Sequence, residues 1–327
     1  MFFQEYCLMS TGDLTDRKEE IEKLLQRYGI CVLGSGAYYV SGVQMPLGST
    51  LMGLGECSEL ILLEEVVSGV TVSLGTRCTV KNLTVKGAAE DLPKPETMGT
   101  RHGIAFLGDS TPQNRGAQHQ DGIISSCRIR SFSGGGITCL DTGYSVDSSL
   151  CISDCRIHGC GAGINISRFS EYHRFTNVVC TRNLYGCINN GGNNVFVGCS
   201  FDGNTEGYLI DNRENQSPNN AHGSCVGCTF NHTNSNKGVG IRILGSKPGY
   251  VFSACQIFFS EIVVEDSIGI QFDHINFGKE EKITVKGGGA VHFTGCMFTT
   301  PPVVSVEENP HVQLLKCCTK AGEPITL

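Results

Sequence analysis

The sequence predicts an all-β fold, a right-handed single-stranded parallel β-helix of about ten coils with a capping α-helix at its N-terminus. Three observations predict this fold: a glycine-rich and charge-poor composition, a short motif that recurs about every 21 residues, and an amphipathic segment ahead of the first coil. The expected organisation is a cap with the first strands over residues 1–45, followed by one continuous β-helix over residues 46–327.

The composition favours many short strands joined by tight turns. Glycine accounts for 42 of 327 residues, charged residues for 17%, and tryptophan is absent. The net charge is −7 with no Lys/Arg-rich run, which disfavours a nucleic-acid partner. No apolar run is long enough to span a membrane. The first residues lack an export signal, so the chain is expected to be cytoplasmic or, if phage-derived, part of a virion or released by lysis.

A four-residue motif repeats along the chain: a small or polar residue, Cys or another hydrophobe, any residue, and then Phe or Ile. Its second position is occupied in turn by Leu83, Cys127, Cys155, Val178, Cys199, Cys228, Cys255, Ile275, Cys296 and Cys317. The shortest spacings are 20 and 21 residues, and the longer ones fit an insertion or a second coil. Coils of this length suit a three-sided β-helix, and the asparagine and leucine signature of leucine-rich repeats is missing.

A glycine-led apolar segment follows most copies of the motif by eight or nine residues. Because strand side chains alternate between faces, Cys199 and Phe201 are predicted to point inward together, as are Tyr208 and Ile210. The glycine is expected to allow a sharp corner. Most of the 18 cysteines therefore fall on inward positions and are expected to be reduced and to fill the core. The lone C-x-x-C, Cys225 to Cys228, has no second pair and is not expected to bind zinc.

Residues 13–25 predict the capping helix. Thr15 or Asp16 is expected to begin it and Gly29 to end it, and its apolar face consists of Ile21, Leu24 and Leu25. Repeat arrays need such caps at their open ends.

The start of the chain resembles the pectate-lyase-like superfamily of parallel β-helix proteins, which includes phage tailspikes and glycoside-hydrolase-28-related proteins. Asp13 and Thr15 match its Asp-x-Thr helix, and Gly36 and Tyr38 match its Gly-x-Tyr turn, whereas Gly34 stands where many relatives have proline. The resemblance implies a helix that plugs the N-terminal end and an activity on carbohydrate.

Long insertions leave the chain just after the glycine-led strand and are expected to stack into one polar wall beside a groove. These insertions cover residues 109–120, 141–148, 168–174 and 211–224, with 88–101 close to them. The residues expected to bind substrate lie in three places: Arg213, His222, Arg174 and His173 in the insertions, Asn190 and Asn165 on the outward side of the glycine-led strand, and His158 in an outward column of the strand that carries the motif. Arg128, Arg130 and Arg156 are expected to form a solvated stripe that could also bind an acidic sugar.

Glycoside hydrolysis needs two carboxyl groups about 5–5.5 Å apart for retention or 6.5–9.5 Å apart for inversion. Neighbouring coils lie about 4.8 Å apart, so two acids one or two coils apart fit either geometry. The preferred catalytic pair is Asp211 with Glu214 or Asp141, and the second choice is Asp202 with Glu206. Any one of these acids could instead be a turn residue that binds its own backbone.

Three functions remain open. The first is a carbohydrate-active enzyme (a glycoside hydrolase, a fructotransferase-like enzyme or a polysaccharide lyase) that needs no cofactor unless lyase chemistry requires Ca²⁺. The second is a phage or prophage tail protein that binds or cleaves surface glycan, and the third is a non-catalytic scaffold or adhesin. An enzyme is favoured, with an oligo- or polysaccharide as partner and no metal site unless lyase chemistry requires Ca²⁺. A homotrimer is expected for a tail protein or a fructotransferase-like enzyme, and a monomer would count against both. The chain carries only Arg101-His102-Gly103 and Ala221-His222-Gly223 where polygalacturonases have Gly-His-Gly.

Overall fold

The computed structural model describes residues 5–87, 97–106, 121–139, 149–168, 170–214, 221–232, 238–278, 282–308 and 311–326. These residues form one α-helix and many short strands that pair in parallel. The chain divides into two compact units, residues 1–165 and 166–327, called here the N-terminal and C-terminal units. The expected boundary at residue 45 stays a prediction.

The helix of the N-terminal unit is Lys18–Tyr28, and it buries Ile21 and Leu25. Gly29 ends it in the left-handed conformation, as predicted. The helix begins two residues after Asp16, with Arg17 in the N-cap position, because Asp16 pairs with the strand residue Tyr39 and keeps the chain extended. The Asp16 carboxylate still accepts from the N–H of Lys18, the first helical residue, at 3.0 Å, as a capping side chain would.

Two parallel sheets make up the rest of the N-terminal unit. Sheet A consists of Cys7–Leu8, Ile30–Leu33, Thr50–Gly53, Thr79–Lys81, Ile123–Ser125 and Cys151–Ser153. Sheet B consists of Gly36–Val40, Val43–Gln44, Ser58–Leu62, Gly69–Leu74, Thr84–Lys86, Arg101–Phe106, Arg128–Cys139 and Arg156–Ile166.

Three parallel sheets make up the C-terminal unit. Sheet C consists of Arg174–Thr176, Asn194–Val197, Gly223–Val226, Tyr250–Ser253, Ile270–Asp273, Ala290–Thr294 and His311–Leu315. Sheet D consists of Tyr185–Asn189, Glu206–Asp211, Gly238–Leu244, Ser260–Glu265, Lys282–Lys286 and Val303–Glu307. Sheet E consists of Thr229–Asn231, Gln256–Phe258, Asn276–Phe277, Met297–Phe298 and Cys318–Thr319, and the separate strand Val179–Thr181 is bridged to it through Ser200.

The motif positions form the core, as predicted. All ten second-position residues are at most 3% exposed, and Phe201, Tyr208 and Ile210 point inward with them. Phe252, Phe272 and Phe293 stack on successive coils with ring centroids 5.1 and 4.7 Å apart. All 18 cysteines are free thiols, and several donate to backbone carbonyls of neighbouring coils.

The first position of the motif is the sharp corner of each coil. Its residue has a left-handed φ of 51° to 63° in every copy: Asn82, Ser126, Asp154, Asn177, Gly198, Gly227, Ala254, His274, Gly295 and Lys316. Gly, Asn and Asp enter this conformation at the lowest cost, which explains why small or polar residues recur there.

The glycine that opens the next strand has a different role from the predicted corner. A Cβ at Gly207 would lie 2.5 Å from the carbonyl oxygen of Gly240 on the following coil, so the position needs glycine for close backbone approach.

Candidate functional site

The outer face of sheet D carries a cluster of aromatic and charged side chains. Tyr185 lies opposite Glu206 on the neighbouring strand, and the next strand adds Arg242 opposite Leu209. The Arg242 Nε donates to both oxygens of Glu206, at 3.1 and 3.2 Å. The side chains of this ion pair are 27% and 21% exposed, so the pair is partly shielded but reachable from solvent.

Tyr185 places a proton donor within this cluster. Its side chain is half-buried, and burial raises the pKa of its phenol, with the negative charges of Glu206 and Asp211 acting in the same direction and Arg242 against them. The phenol therefore stays protonated at neutral pH and can donate a hydrogen bond to a ligand oxygen.

Asp211 ends the strand that Glu206 begins. Its carboxylate accepts from Arg213 Nε at 2.9 Å and Nη2 at 2.6 Å, which raises the pKa of the Arg213 guanidinium. Its backbone N–H donates to the Asn190 Oδ1 at 2.8 Å, so this amide oxygen holds the strand end. Tyr185, Glu206, Asp211, Arg213 and Arg242 are called the sheet D cluster below.

The two carboxylates of the sheet D cluster are far apart along their strand. Five residues of extended chain separate the Cα atoms of Glu206 and Asp211 by about 16 Å. This exceeds the separation that either hydrolytic mechanism uses. Glu214 is exposed three residues beyond Asp211, and Asp141 lies outside the described residues, so the preferred catalytic pair stays a prediction.

The second predicted pair has separate partners for its two acids. Asp202 accepts from the hydroxyls of Ser200 and Thr229 and from the backbone N–H of Asn231 at 3.0 Å, which ties two coils together at sheet E. Glu206 is bound to Arg242. Asp202 therefore has a structural role, while catalysis by this pair stays a prediction.

His173 does not lie on a surface wall, contrary to expectation. Its side chain is 0% exposed, its Nε2 lies 2.7 Å from the Ser170 hydroxyl, and burial lowers its pKa to about 3. The neighbouring Arg174 points outward and is exposed, with its Nη1 donating to backbone carbonyls, including that of Asn193 at 3.1 Å. Burial along this insertion does not follow strand alternation, because Ser170 and His173 are buried while Tyr172 between them is exposed and has a left-handed φ of 65°.

The remaining predicted binding residues lie at separate places. Asn165 donates to the Thr138 hydroxyl at 3.3 Å, and His158 is half-buried opposite Arg130 in sheet B. His222 is half-buried, and its Nδ1 has no hydrogen-bond partner among the described residues. Their roles in substrate binding stay predictions.

Sequence reasoning missed Tyr185, which strand register places opposite Glu206, and Arg242, which lies opposite Leu209 and reaches Glu206 through its side chain. Strand alternation alone would not have found this cluster, because Tyr185 and Glu206 lie two residues before the buried Cys187 and Tyr208 and share their parity. Sequence reasoning also missed a cavity of about 640 Å³ in the N-terminal unit. The residues that line the cavity include Leu14, Tyr39, Ile61, Glu64, Glu65 and Lys86.

Two further properties concern only the described part of the chain. No group of three or more His, Cys, Asp or Glu side chains there could hold a metal ion. No helix within it is long and apolar enough to cross a membrane.

Comparison with known families gives a direct match. The family model described as "Right handed beta helix region" matches residues 68–259, more than half of the chain. The chain belongs to this right-handed β-helix family. The match confirms the predicted fold class, and the N-terminal resemblance to tailspike-type β-helix proteins agrees with it. A search of curated proteins found no match to this β-helix protein.

Three solved structures illustrate the likeness in fold. Full-length tailspike protein 2 of the Escherichia coli O157:H7 bacteriophage CAB120 matches 84% of the β-helix protein at 13% identity, with a TM-score of 0.52. The chain spans 41% of that tailspike. Tailspike gp49 of the Acinetobacter baumannii bacteriophage Fri1, a capsular polysaccharide depolymerase, matches 99% at 10% identity and a TM-score of 0.60, with 64% of its own chain covered.

The third structure is the A-module of the Azotobacter vinelandii mannuronan C-5 epimerase AlgE4. It matches 97% of this β-helix protein at 13% identity and a TM-score of 0.52, and 96% of the module is covered. These identities are low, so the likeness concerns the fold.

Proposed function

We propose that this β-helix protein is a carbohydrate-active enzyme that processes an oligo- or polysaccharide on the outer face of sheet D. The observation that carries the proposal is the Tyr185 phenol, kept protonated in a half-buried position beside the Glu206–Arg242 ion pair. Two of the proteins similar in fold support the substrate class, since one is a capsular polysaccharide depolymerase and the other a mannuronan epimerase.

Each residue of the sheet D cluster has a distinct task in this proposal. The planar guanidinium of Arg242, which binds Glu206 through its Nε, is suited to bidentate binding of a sugar carboxylate or a pair of hydroxyls through its Nη groups. Arg213 holds Asp211 in place, because its Nε and Nη2 both bind that carboxylate. Asp211 accepts hydrogen bonds from sugar hydroxyls. Tyr185 donates a proton or a hydrogen bond to the glycosidic oxygen.

The separation of Glu206 from Asp211 favours elimination over two-carboxylate hydrolysis as the reaction type. In elimination, the C–H bond beside a uronate carboxylate gives its proton to a base, a double bond forms, and the C–O bond to the leaving sugar breaks. Glu206 is the proposed base, and Tyr185 the proposed donor of the proton that the leaving oxygen takes up. An arginine that binds the uronate carboxylate stabilises the charge that develops beside it.

The test is a screen of the full chain on acidic and neutral polysaccharides, followed by variants of the cluster. Unsaturated sugar ends, detected by ultraviolet absorbance, report elimination, and new reducing ends report either reaction. Tyr185→Phe is expected to lower kcat by about 100-fold or more, because it removes the proton donor. Glu206→Gln is expected to do the same.

Matched controls separate catalysis from a general effect on the sheet. Glu261→Gln breaks a similar ion pair on the same face, between Glu261 and Lys282 at 3.0 Å, and is expected to keep full activity. Tyr28→Phe on the N-terminal helix is the control for the loss of a phenol. Unchanged activity in both Tyr185→Phe and Glu206→Gln, or no turnover of any glycan, would overturn the proposal.

We also propose the homotrimer as the functional assembly, following the resemblance to tailspikes. Light scattering of the purified chain tests it: a particle of three chains supports the proposal, and a monomer contradicts it.

A further inference from the structure

A column of outward side chains runs across five strands of sheet B in the N-terminal unit. Strand pairing aligns Tyr39 with Ile61, Ile61 with Lys86, Lys86 with Arg130, and Arg130 with His158. The column is therefore aromatic and apolar at one end and basic at the other. Residues between these positions, such as Val85, Ile129 and Ile157, are buried, so the column lies on the outer face of the sheet.

A second outward column increases the positive charge at the basic end. Thr84, Arg128 and Arg156 lie opposite one another on the same three strands. Two ion pairs compensate part of this positive charge. The Arg128 Nη2 lies 2.9 Å from the Glu56 Oε1, and the Arg130 Nη2 lies 2.8 Å from the Glu59 Oε1.

Lys86 and Arg156 have no ion-pair partner among the described residues. The face formed by the two columns therefore carries excess positive charge, although the whole chain has a net charge of −7. Arg156 is exposed and Lys86 half-buried, so both reach solvent. Together, Lys86, Arg128, Arg130, Arg156 and His158 are called the basic strip.

The cavity of about 640 Å³ lies at the apolar end of the first column. Tyr39, Ile61 and Leu14 give it apolar surface, Glu64 and Glu65 add carboxylates, and Lys86 belongs to both the cavity and the basic strip. Its volume lies within the roughly 300–1,000 Å³ typical of ligand sites. An aromatic ring beside carboxylates suits a sugar, which offers C–H faces to the ring and hydroxyl donors to the acids.

We propose that the basic strip and its adjoining cavity bind an acidic polysaccharide, with sugar carboxylates on the basic strip and a sugar ring on Tyr39. Successive strands present their charges about 4.8 Å apart, a spacing suited to a polymer that repeats an anionic group along its length. The carboxylates of Glu64 and Glu65 repel an anion, so the sugar on Tyr39 turns its hydroxyls toward them and its own carboxylate toward Lys86. The inference rests on the proposed function for the ligand being a glycan, and it adds the charge class and a second contact site.

The experiment measures binding of the full chain to three polyuronates, alginate, polygalacturonate and hyaluronan, each beside its carboxyl-reduced form. Affinity electrophoresis is expected to show retention by at least one polyuronate and at least tenfold weaker retention by the reduced form. The double variant Lys86→Ala/Arg156→Ala is expected to lose at least tenfold in affinity. The control Lys23→Ala/Arg27→Ala removes the same charge from the exposed helix and is expected to bind as the wild type does.

Tyr39 is tested separately. Tyr39→Ala is expected to weaken binding, whereas Tyr39→Phe keeps the ring and is expected to bind normally. Thermal melting of every variant identifies any loss that is due to unfolding, and in that case Lys86→Gln/Arg156→Gln replaces the alanine variant.

Several outcomes would overturn the inference: no retention by any polyuronate, equal retention by the reduced forms, wild-type binding by the double variant, or tighter binding of a single-stranded oligonucleotide. The proposed function fails in a different way. Polyuronate binding that depends on Lys86 and Arg156, without turnover of any glycan, would support the binding site and contradict the proposed enzymatic activity. Turnover that depends on Tyr185, without binding at the basic strip, would support the proposed enzymatic activity and contradict the binding site.

Discussion

The hydroxyl oxygens of Tyr208 and Tyr250 lie 2.6 Å apart inside the C-terminal unit. Tyr208 belongs to sheet D and Tyr250 to sheet C, and both are at most 1% exposed. The Asn189 Nδ2 donates to the Tyr208 oxygen at 2.9 Å and to the Tyr250 oxygen at 3.4 Å. Burial raises the pKa of both phenols. This polar group therefore links two sheets inside the unit.

Removing the Tyr208 hydroxyl is expected to destabilise the protein. Tyr208→Phe takes away the nearer acceptor of the Asn189 amide and leaves a buried donor poorly satisfied, at a cost of about 1–3 kcal/mol in the free energy of unfolding. Urea denaturation at neutral pH measures this free energy. Tyr28→Phe is the matched control and is expected to stay within about 0.5 kcal/mol of the wild type. Equal stability of the two variants would contradict the prediction.

Acid is expected to destabilise the fold through His173. Its folded pKa is about 3, below the ordinary value of 6.5, so the neutral form is the one that the folded state favours. The associated stability is fully present above about pH 6.5 and is lost as the pH falls toward 3, by about 1.4 kcal/mol per pH unit. Burial also lowers the pKa of His102, whose Nδ1 accepts from the Gly135 N–H at 2.9 Å, and this adds in the same direction.

The pH effect is measured by urea denaturation between pH 7 and pH 4. His173→Gln removes the titrating group, and its stability is expected to fall less steeply with acid than that of the wild type. His274→Gln changes an exposed histidine and is expected to keep the wild-type slope. Parallel slopes for all three proteins would argue against a role for His173.

The buried cysteines are expected to resist alkylation in the folded protein. Burial raises the pKa of the Cys160 and Cys31 thiols to about 12, so almost no thiolate is present, and neither sulfur is accessible. Cys57 and Cys151 are exposed and are expected to react first. Iodoacetamide labelling with peptide mass spectrometry measures the order, and labelling in urea should reach all 18. Equal rates for Cys160 and Cys57 in the native protein would contradict the prediction.

The two kinds of small-residue position are expected to respond oppositely to substitution. Ala254→Gly relieves a left-handed alanine and is expected to stabilise the protein by about 0.5–1 kcal/mol. Gly207→Ala pushes a methyl group against the Gly240 carbonyl and is expected to destabilise it by about 1–3 kcal/mol. Thermal unfolding of both variants tests this, and a change of the same sign in both would contradict it.

The period of the motif was enough to predict the coils and their core. A 21-residue coil must bring each motif copy to the same place, and alternation within a strand then fixes which side chains point inward. Cys199, Phe201, Tyr208 and Ile210 are buried for this reason. The glycines were interpreted less well, because sequence alone does not distinguish a left-handed corner such as Gly198 from a close approach such as Gly207.

The sequence by itself determined the fold class, the inward ladders and the acids Glu206 and Asp211 as candidates. Only the tertiary structure decided which side chains meet them. Arg242 is 36 residues from Glu206, and Tyr185 is 21 residues away, and their meeting depends on the register between strands. The same holds for His173: the motif fixes the direction of residues within a coil, but an inserted residue points wherever local packing places it.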